Sequence, residues 1–326
     1  MRGLYTKVVH GWHDLGRDEE TPFSPAIAWT MVAYAVGVCL LWYGIRYTKI
    51  ERFLTSSGID RHRLVVIFVW VGTLLFLGLL WALRDKPPWR LKRETLVVIV
   101  LSMVALTLFW LYGRRVSYTI WFEKRPPWGG HTGLIPYYFF MTTSLVLRVL
   151  IPLAVGALFF KMYPRDYGFQ LKGAFRLWWV YAALIAVIMV VVIFYASTLP
   201  AFLRKYPWCK QGIVGKTIAL DVLLVYGLGS AVFFMTVEAF WRGFILFGTA
   251  RELGRLSLFF MMMPYVIGHC GKPLPETLGA VAAGLVLGAL ALHHGSFWLG
   301  AIAHWVIAIT MDLMALWRRG IAVILS

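Results

Sequence analysis

The sequence predicts an all-α protein, a polytopic integral membrane helical bundle of about eight to nine transmembrane helices. The chain of 326 residues is 60% hydrophobic and only 14% charged, with a mean hydropathy of +0.73. A soluble domain is nearer half apolar and a quarter charged. The apolar residues fall in runs of about 20, the length that crosses the hydrocarbon core of a bilayer. Sixteen Trp and fifteen Tyr residues suit the aromatic belts at membrane interfaces.

Nine apolar segments account for the predicted helices. They are residues 26–45, 64–83, 95–113, 134–160, 177–202, 217–246, 256–270, 277–292 and 297–316. The first three carry no charge, whereas the fourth contains Arg148, which we expect to pair with a carboxylate such as Asp221. The seventh contains Pro264, and we expect a kink there because proline removes an intrahelical hydrogen bond.

The basic charge of the chain points to lipid rather than to nucleic acid. The formal net charge is +17, but the Lys and Arg residues fall in short clusters between apolar runs, as at residues 61–63, 84–93 and 114–115. Such clusters suit loops against anionic head groups, so membrane lipids are expected partners. A nucleic-acid binder would need a soluble domain to carry its basic face. Lys and Arg divide almost evenly between alternating loops, which leaves the orientation open.

Three smaller patterns concern structure rather than chemistry. Cys39, Cys209 and Cys270 are odd in number and lack C-x-x-C spacing, so they predict neither a disulfide framework nor a zinc knuckle. Gly284 and Gly288 form a Gly-x-x-x-Gly pattern, which predicts close helix packing. Residues 164–176 mix aromatic and basic side chains, a pattern typical of either an interfacial amphipathic segment or an ordinary loop.

Three ionisable residues, Glu238, His269 and His304, lie within the apolar segments of the C-terminal third. A titratable side chain inside a membrane segment is expensive, and it usually faces a protein interior or a wet cavity and marks function. A carboxylate and two imidazoles are also the groups that activate a water molecule. A purely structural reading of each residue stays open, since a histidine can bond a backbone carbonyl across helices.

Further polar residues lie close to these three in the sequence. Arg242 follows Glu238 by four positions, which places both on one helical face. The pair predicts either an ion pair that locks two helices or an arginine that orients the carboxylate. Tyr265 precedes His269 by one turn. Asp312 follows His304 by eight positions, so the two lie on similar faces about 12 Å apart along the axis.

These motifs resemble the CAAX protease and bacteriocin-processing enzyme (CPBP) family, which includes the type II CAAX prenyl endopeptidases. The family pattern is Glu-Glu-x-x-x-Arg, then Phe-x-x-x-His, then His-x-x-x-Asn or Asp. Arg242 matches the family arginine and Glu238 the second glutamate. Tyr265 and His269 match the second motif, and His304 matches the last histidine. The similarity covers roughly residues 221–317.

The resemblance implies a metal-independent, glutamic-type intramembrane endopeptidase in the bacterial plasma (inner) membrane. Its substrate would be a membrane-associated peptide or protein, and it would use no cofactor. Glu238 and His269 would activate water, and His304 would stabilise the oxyanion. The implied division is a tail at 1–25, N-terminal membrane helices at 26–210, catalytic helices at 211–317 within one continuous membrane domain, and a tail at 318–326.

Two positions depart from the family pattern. Val237 stands where the family has its first glutamate, the general base, and Ala308 stands at the final Asn or Asp. Valine takes no proton and alanine donates no side-chain hydrogen bond. Either Glu238 and Asp312 perform these tasks, or the chain is a non-proteolytic CPBP-like scaffold, immunity protein or partner-binding protein.

Two other classes are weaker alternatives. Two histidines and a glutamate are a ligand set of catalytic zinc, but the spacing does not follow His-Glu-x-x-His. A transporter would predict inverted repeats and paired broken helices, and the sequence has no such repeat.

Overall fold

The computed structural model describes residues 23–46, 49, 53–54, 60–122 and 129–325. In this part of the chain eight helices are long and apolar enough to cross a membrane. They are Pro25–Ile45, Arg61–Arg84, Arg93–Tyr112, Ile135–Phe160, Trp178–Thr198, Leu220–Leu253, Leu274–His294 and Trp298–Arg318. A shorter apolar helix covers Leu256–Ile267. The predicted fold class, an all-α polytopic membrane protein, is therefore confirmed.

The regular elements of the described residues are labelled in chain order. The α-helices are α1 Pro25–Arg46, α2 Arg61–Arg84, α3 Arg93–Tyr112, α4 Arg115–Trp121, α5 Gly130–Gly133, α6 Ile135–Leu145, α7 Ile151–Phe160, α8 Trp178–Phe194, α9 Pro200–Lys205, α10 Leu220–Glu238, α11 Gly248–Leu253, α12 Leu256–Ile267, α13 Leu274–His294 and α14 Trp298–Arg318. The strands are β1 Thr217–Ala219 and β2 Ala322–Ile324. Short 3₁₀ turns cover Pro88–Arg90, Pro164–Tyr167, Ala196–Thr198 and Lys210–Gly212.

Local sequence signals explain several helix ends. The Asp60 side chain caps α2 by accepting a 2.9 Å hydrogen bond from the Arg63 backbone N–H. Helix α13 ends at His294 and is followed by Gly295, whose φ of 68° is the left-handed conformation that glycine adopts without strain. Helix α12 continues through Pro264 to Ile267.

Two predicted segments need correction at their ends. Helix α8 ends at Phe194, not at residue 202, and a 3₁₀ turn follows at Ala196–Thr198. No helix continues past this turn, because Pro200 holds Leu199 in an extended conformation. The segment predicted from residue 217 begins as strand β1, and its helix starts only at Leu220. In the 164–176 segment only the 3₁₀ turn Pro164–Tyr167 is helical, and the rest forms turns and loop.

Two π-helical segments interrupt the long spans. The first covers Val146–Leu150 between α6 and α7, and the second covers Ala239–Phe247 between α10 and α11. A π-turn holds one residue more than an α-turn and is frequent at functional sites. The second segment begins directly after Glu238, so the regular helical face predicted for Glu238 and Arg242 does not extend through this turn.

The chain forms two compact units. Unit 1 comprises Met1–Leu111, Leu147–Ala174 and Ala239–Phe297. Its α12 is almost entirely buried and packs on α1, α2 and α13. A Cβ atom on Gly288 would lie 2.4 Å from Leu258 Cδ1, and one on Gly284 would lie 3.0 Å from Met262 Cγ. The close packing predicted for these two glycines is therefore confirmed.

Unit 2 comprises Tyr112–Val146, Phe175–Glu238 and Trp298–Ser326. Its α10 packs on α14 and α6, and α14 also packs on α8. Strands β1 and β2 pair in parallel, with Thr217 opposite Ala322. The segment predicted as a C-terminal tail thus contains a strand that joins the chain end to the start of α10.

Candidate active site

Glu238 and His304, two of the three predicted catalytic residues, are direct partners in unit 2. Glu238 is the last residue of α10, and His304 lies in the second turn of α14. His304 Nδ1 lies 2.8 Å from Glu238 Oε1. The Glu238 side chain is 0% exposed, and the His304 side chain is 18% exposed. The imidazole is therefore the member of the pair that reaches accessible space.

Close packing between α10 and α14 brings the two side chains together. Gly300 lies one turn before His304, and a Cβ atom there would be only 3.2 Å from Glu238 Oε2. The Phe234 ring lies 4.5 Å from the His304 ring. Next along α14, Trp305 Nε1 donates to the Gly227 carbonyl at 3.1 Å and contacts Ser230 Oγ at 3.1 Å. The glycine gives the carboxylate room, and the tryptophan fixes the register of the two helices.

The contact atoms determine what this pair can do chemically. A carboxylate accepts hydrogen bonds, so the proton of a neutral imidazole lies on Nδ1 and the lone pair lies on Nε2. A histidine oriented in this way can act as a general base, and the carboxylate stabilises the imidazolium that forms. The arrangement can equally serve as a structural ion pair.

Asp312 belongs to a separate polar cluster in unit 2. It accepts hydrogen bonds from the Tyr226 hydroxyl and, at 2.8 Å, from the Trp208 backbone N–H. Arg115 contributes the nearby positive charge, donating to the Trp208 carbonyl at 3.2 Å and stacking 5.2 Å from the Tyr137 ring. Burial lowers the pKa of the Arg115 guanidinium. These contacts favour a role for Asp312 in holding α14 against α10.

The other predicted residues lie together in unit 1. The Arg242 guanidinium is fully buried, stacks 4.2 Å from the Tyr265 ring centroid and donates to the Ala283 carbonyl at 3.2 Å. His269 Nδ1 lies 2.8 Å from the Tyr265 carbonyl. Because a carbonyl only accepts, Nδ1 is the donor, and in a neutral ring Nε2 keeps its lone pair. The aromatic residue of the second motif thus orients both the arginine and the histidine.

The predicted partner of Arg148 is wrong. Asp221 pairs with His131, with Nε2 2.9 Å from Oδ2, and both side chains are 47% exposed. Arg148 makes no ion pair with any residue that the structure describes, and its guanidinium instead lies 3.8 Å from the Phe109 ring centroid. Asp221 lies in the first turn of α10, and its side chain is half-exposed. This exposed carboxylate pairs with an exposed histidine and not with the buried Arg148.

Several residues at these sites carried no sequence signal that singled them out. Gly300 and Phe234 shape the Glu238–His304 pair, but small and aromatic residues are common in membrane helices. Cys39 and Cys270 lie with their Sγ atoms 3.4 Å apart although 231 positions separate them. Among the described residues, no group of three or more His, Cys, Asp or Glu side chains is arranged to hold a metal ion.

No family model, no curated protein and no solved structure matches the chain. The CPBP resemblance therefore stays a prediction from the motifs within residues 221–317.

Proposed function

We propose that the chain is an intramembrane endopeptidase that hydrolyses a membrane-associated peptide with water activated at the Glu238–His304 pair. The observation that supports this most is the 2.8 Å contact between a fully buried carboxylate and a partly exposed imidazole. Both residues lie in helices long enough to span a membrane. A buried ionisable pair at such a position marks function by default.

The contact favours a different catalytic role for each of the two residues. His304 Nε2 takes a proton from water, and the resulting hydroxide attacks the carbon of the peptide carbonyl. The imidazolium then returns the proton to the leaving amine as the carbon–nitrogen bond breaks, so one water is consumed and one acid and one amine form. Glu238 keeps Nδ1 protonated and stabilises the imidazolium, as carboxylates do in other histidine-dependent hydrolases. General base catalysis of this type contributes about 10²- to 10⁴-fold.

This scheme differs from the one that the resemblance implies. There, Glu238 removes the proton and His304 stabilises the oxyanion. We assign the base to His304 because it is the more exposed member of the pair. His269 lies in unit 1, where its ring contacts the Tyr265 carbonyl, and its part in holding the water stays a prediction from the resemblance.

A cleavage screen with matched variants tests the proposal. The full-length chain in liposomes is mixed with a library of membrane-anchored peptides, and products are identified by mass spectrometry. Glu238→Gln and His304→Gln should each lower the cleavage rate by at least 10²-fold, and His269→Ala should also lower it. Asp221→Asn is the matched control, because it removes the carboxylate from an exposed histidine pair of similar length. Full activity in both pair variants would rule out the proposal.

A non-proteolytic role is the second candidate, and the departures at Val237 and Ala308 favour it. In that case the Glu238–His304 contact only joins α10 to α14. The wild-type chain would then cleave no peptide of the library, while Glu238→Gln would still lower the thermal midpoint. A lower thermal midpoint in Glu238→Gln, together with no cleavage by the wild-type chain, would therefore support the non-proteolytic role.

A further inference from the structure

Arg148 is a buried cation within a membrane span that the proposed reaction does not use. It lies in the π-helical segment Val146–Leu150, in the middle of the span Ile135–Phe160. Only 6% of its surface is exposed. The π-turn and Pro152 just after it are local interruptions of the helix, and such interruptions are frequent at functional sites.

The surroundings of Arg148 are aromatic. Its guanidinium carbon lies 3.8 Å from the centroid of Phe109 and 5.8 Å from that of Phe240. The buried Nε atom has no hydrogen-bond partner, and the side chain makes no ion pair with any described residue. At 3.8 Å the cation lies against the face of the Phe109 ring. This contact supplies no nitrogen or oxygen acceptor for the N–H groups of the guanidinium.

The energetics favour an anionic partner. An arginine at the centre of a membrane helix costs about 2.5–3.5 kcal/mol on insertion scales. A cation–π contact stabilises the arginine by about 0.5–2 kcal/mol and so offsets part of this cost. The remaining cost is removed most directly by one negative charge on the guanidinium edge. That edge is a planar fork that matches the two oxygens of a carboxylate.

We propose that Arg148 binds the carboxylate of a single-chain lipid, a long-chain fatty acid, through its terminal Nη donors. A carboxylate carries the single charge that balances one guanidinium. Its apolar chain partitions into the bilayer and brings the carboxylate to the membrane, whereas an inorganic anion has no apolar part and stays in water. The inference does not depend on the peptidase proposal, because no residue of the Glu238–His304 pair takes part.

Binding of radiolabelled palmitate to the full-length chain in a neutral detergent tests this inference. Unlabelled palmitate should displace the label, whereas methyl palmitate and hexadecanol should not, because they lack the charge. Arg148→Gln should weaken binding at least tenfold. Arg148→Lys, which keeps the charge and loses the planar fork, should weaken it several-fold. Arg90→Gln, a change at an arginine that is 64% exposed, is the control for surface attraction and should leave binding unchanged.

Three results would overturn the inference. They are displacement by methyl palmitate as efficient as by palmitate, unchanged binding by Arg148→Gln, and absence of palmitate binding to the wild-type chain. The comparison of acid with ester uses only the wild-type protein, and Arg148→Lys conserves the charge. The test therefore stays decisive if Arg148→Gln does not fold.

Discussion

Gly300→Ala provides a sharp test of the candidate active site because it changes one atom next to Glu238. A Cβ atom at residue 300 would lie 3.2 Å from Glu238 Oε2, whereas ordinary contacts of this kind begin near 3.4 Å. The carboxylate would have to move by ~0.2–0.3 Å, and this movement would disturb its 2.8 Å contact with His304. A misplacement of 1 Å in an active site can cost about 10²-fold, so the shift predicts a roughly two- to fivefold loss of kcat/KM.

Unlike kcat/KM, the thermal stability of Gly300→Ala should rise slightly or stay nearly unchanged. Alanine stabilises a helix interior relative to glycine by about 0.5–1 kcal/mol, and this gain offsets part of the crowding. Gly279→Ala is the matched control, because a Cβ atom at Gly279 would meet nothing within 4 Å. The assay compares cleavage of one library peptide and the thermal midpoint for the three proteins. Wild-type kcat/KM in Gly300→Ala, or an equal loss in Gly279→Ala, would refute the assignment of the carboxylate to the site.

Three further predictions concern the stability and connections of the fold. Oxidation of the purified chain with a small disulfide reagent should join Cys39 to Cys270, because their Sγ atoms are 3.4 Å apart. Intact-mass analysis should then show a loss of two hydrogens in the wild-type chain and no such loss in a Cys39→Ser variant. Asp312→Asn should lower the free energy of unfolding by about 1.5–3 kcal/mol, the usual contribution of a hydrogen bond to a charged group, as measured by denaturant titration. Deletion of residues 322–326 should lower the thermal midpoint by a few degrees, because the three-residue pairing of Ala322–Ile324 with β1 is lost; an unchanged midpoint would show that the strand adds no stability.

Much of the fold could be predicted because apolar length and composition are direct physical requirements of a bilayer. The spans from α1 to α3 match the predicted segments to within a few residues. Charged residues adjoin their ends, except at the start of α1, where Ser24 and Pro25 precede the apolar run. The two π-helices could not be predicted, because an additional residue in a turn changes neither hydropathy nor length in a recognisable way. Strand β2 also carried no signal, since three residues pair only when tertiary structure brings a partner alongside.

The candidate site was partly predictable for a similar reason. Glu238 and His304 stood out because each is an isolated ionisable residue in an apolar helix, and the cost of burial predicts a partner. The identity of that partner depends on packing, as the failed pairing of Arg148 with Asp221 shows. Residues that shape the site without charge, such as Gly300, could be recognised only from their distances.

Hydrolysis in water enriched with ¹⁸O is the most direct test of the central claim. The full-length chain should release a peptide fragment whose new carboxyl group carries one ¹⁸O atom, and His304→Gln should release at least 10²-fold less of it. Equal release of labelled fragment by the wild-type chain and by His304→Gln would contradict the account, as would the absence of any cleaved peptide.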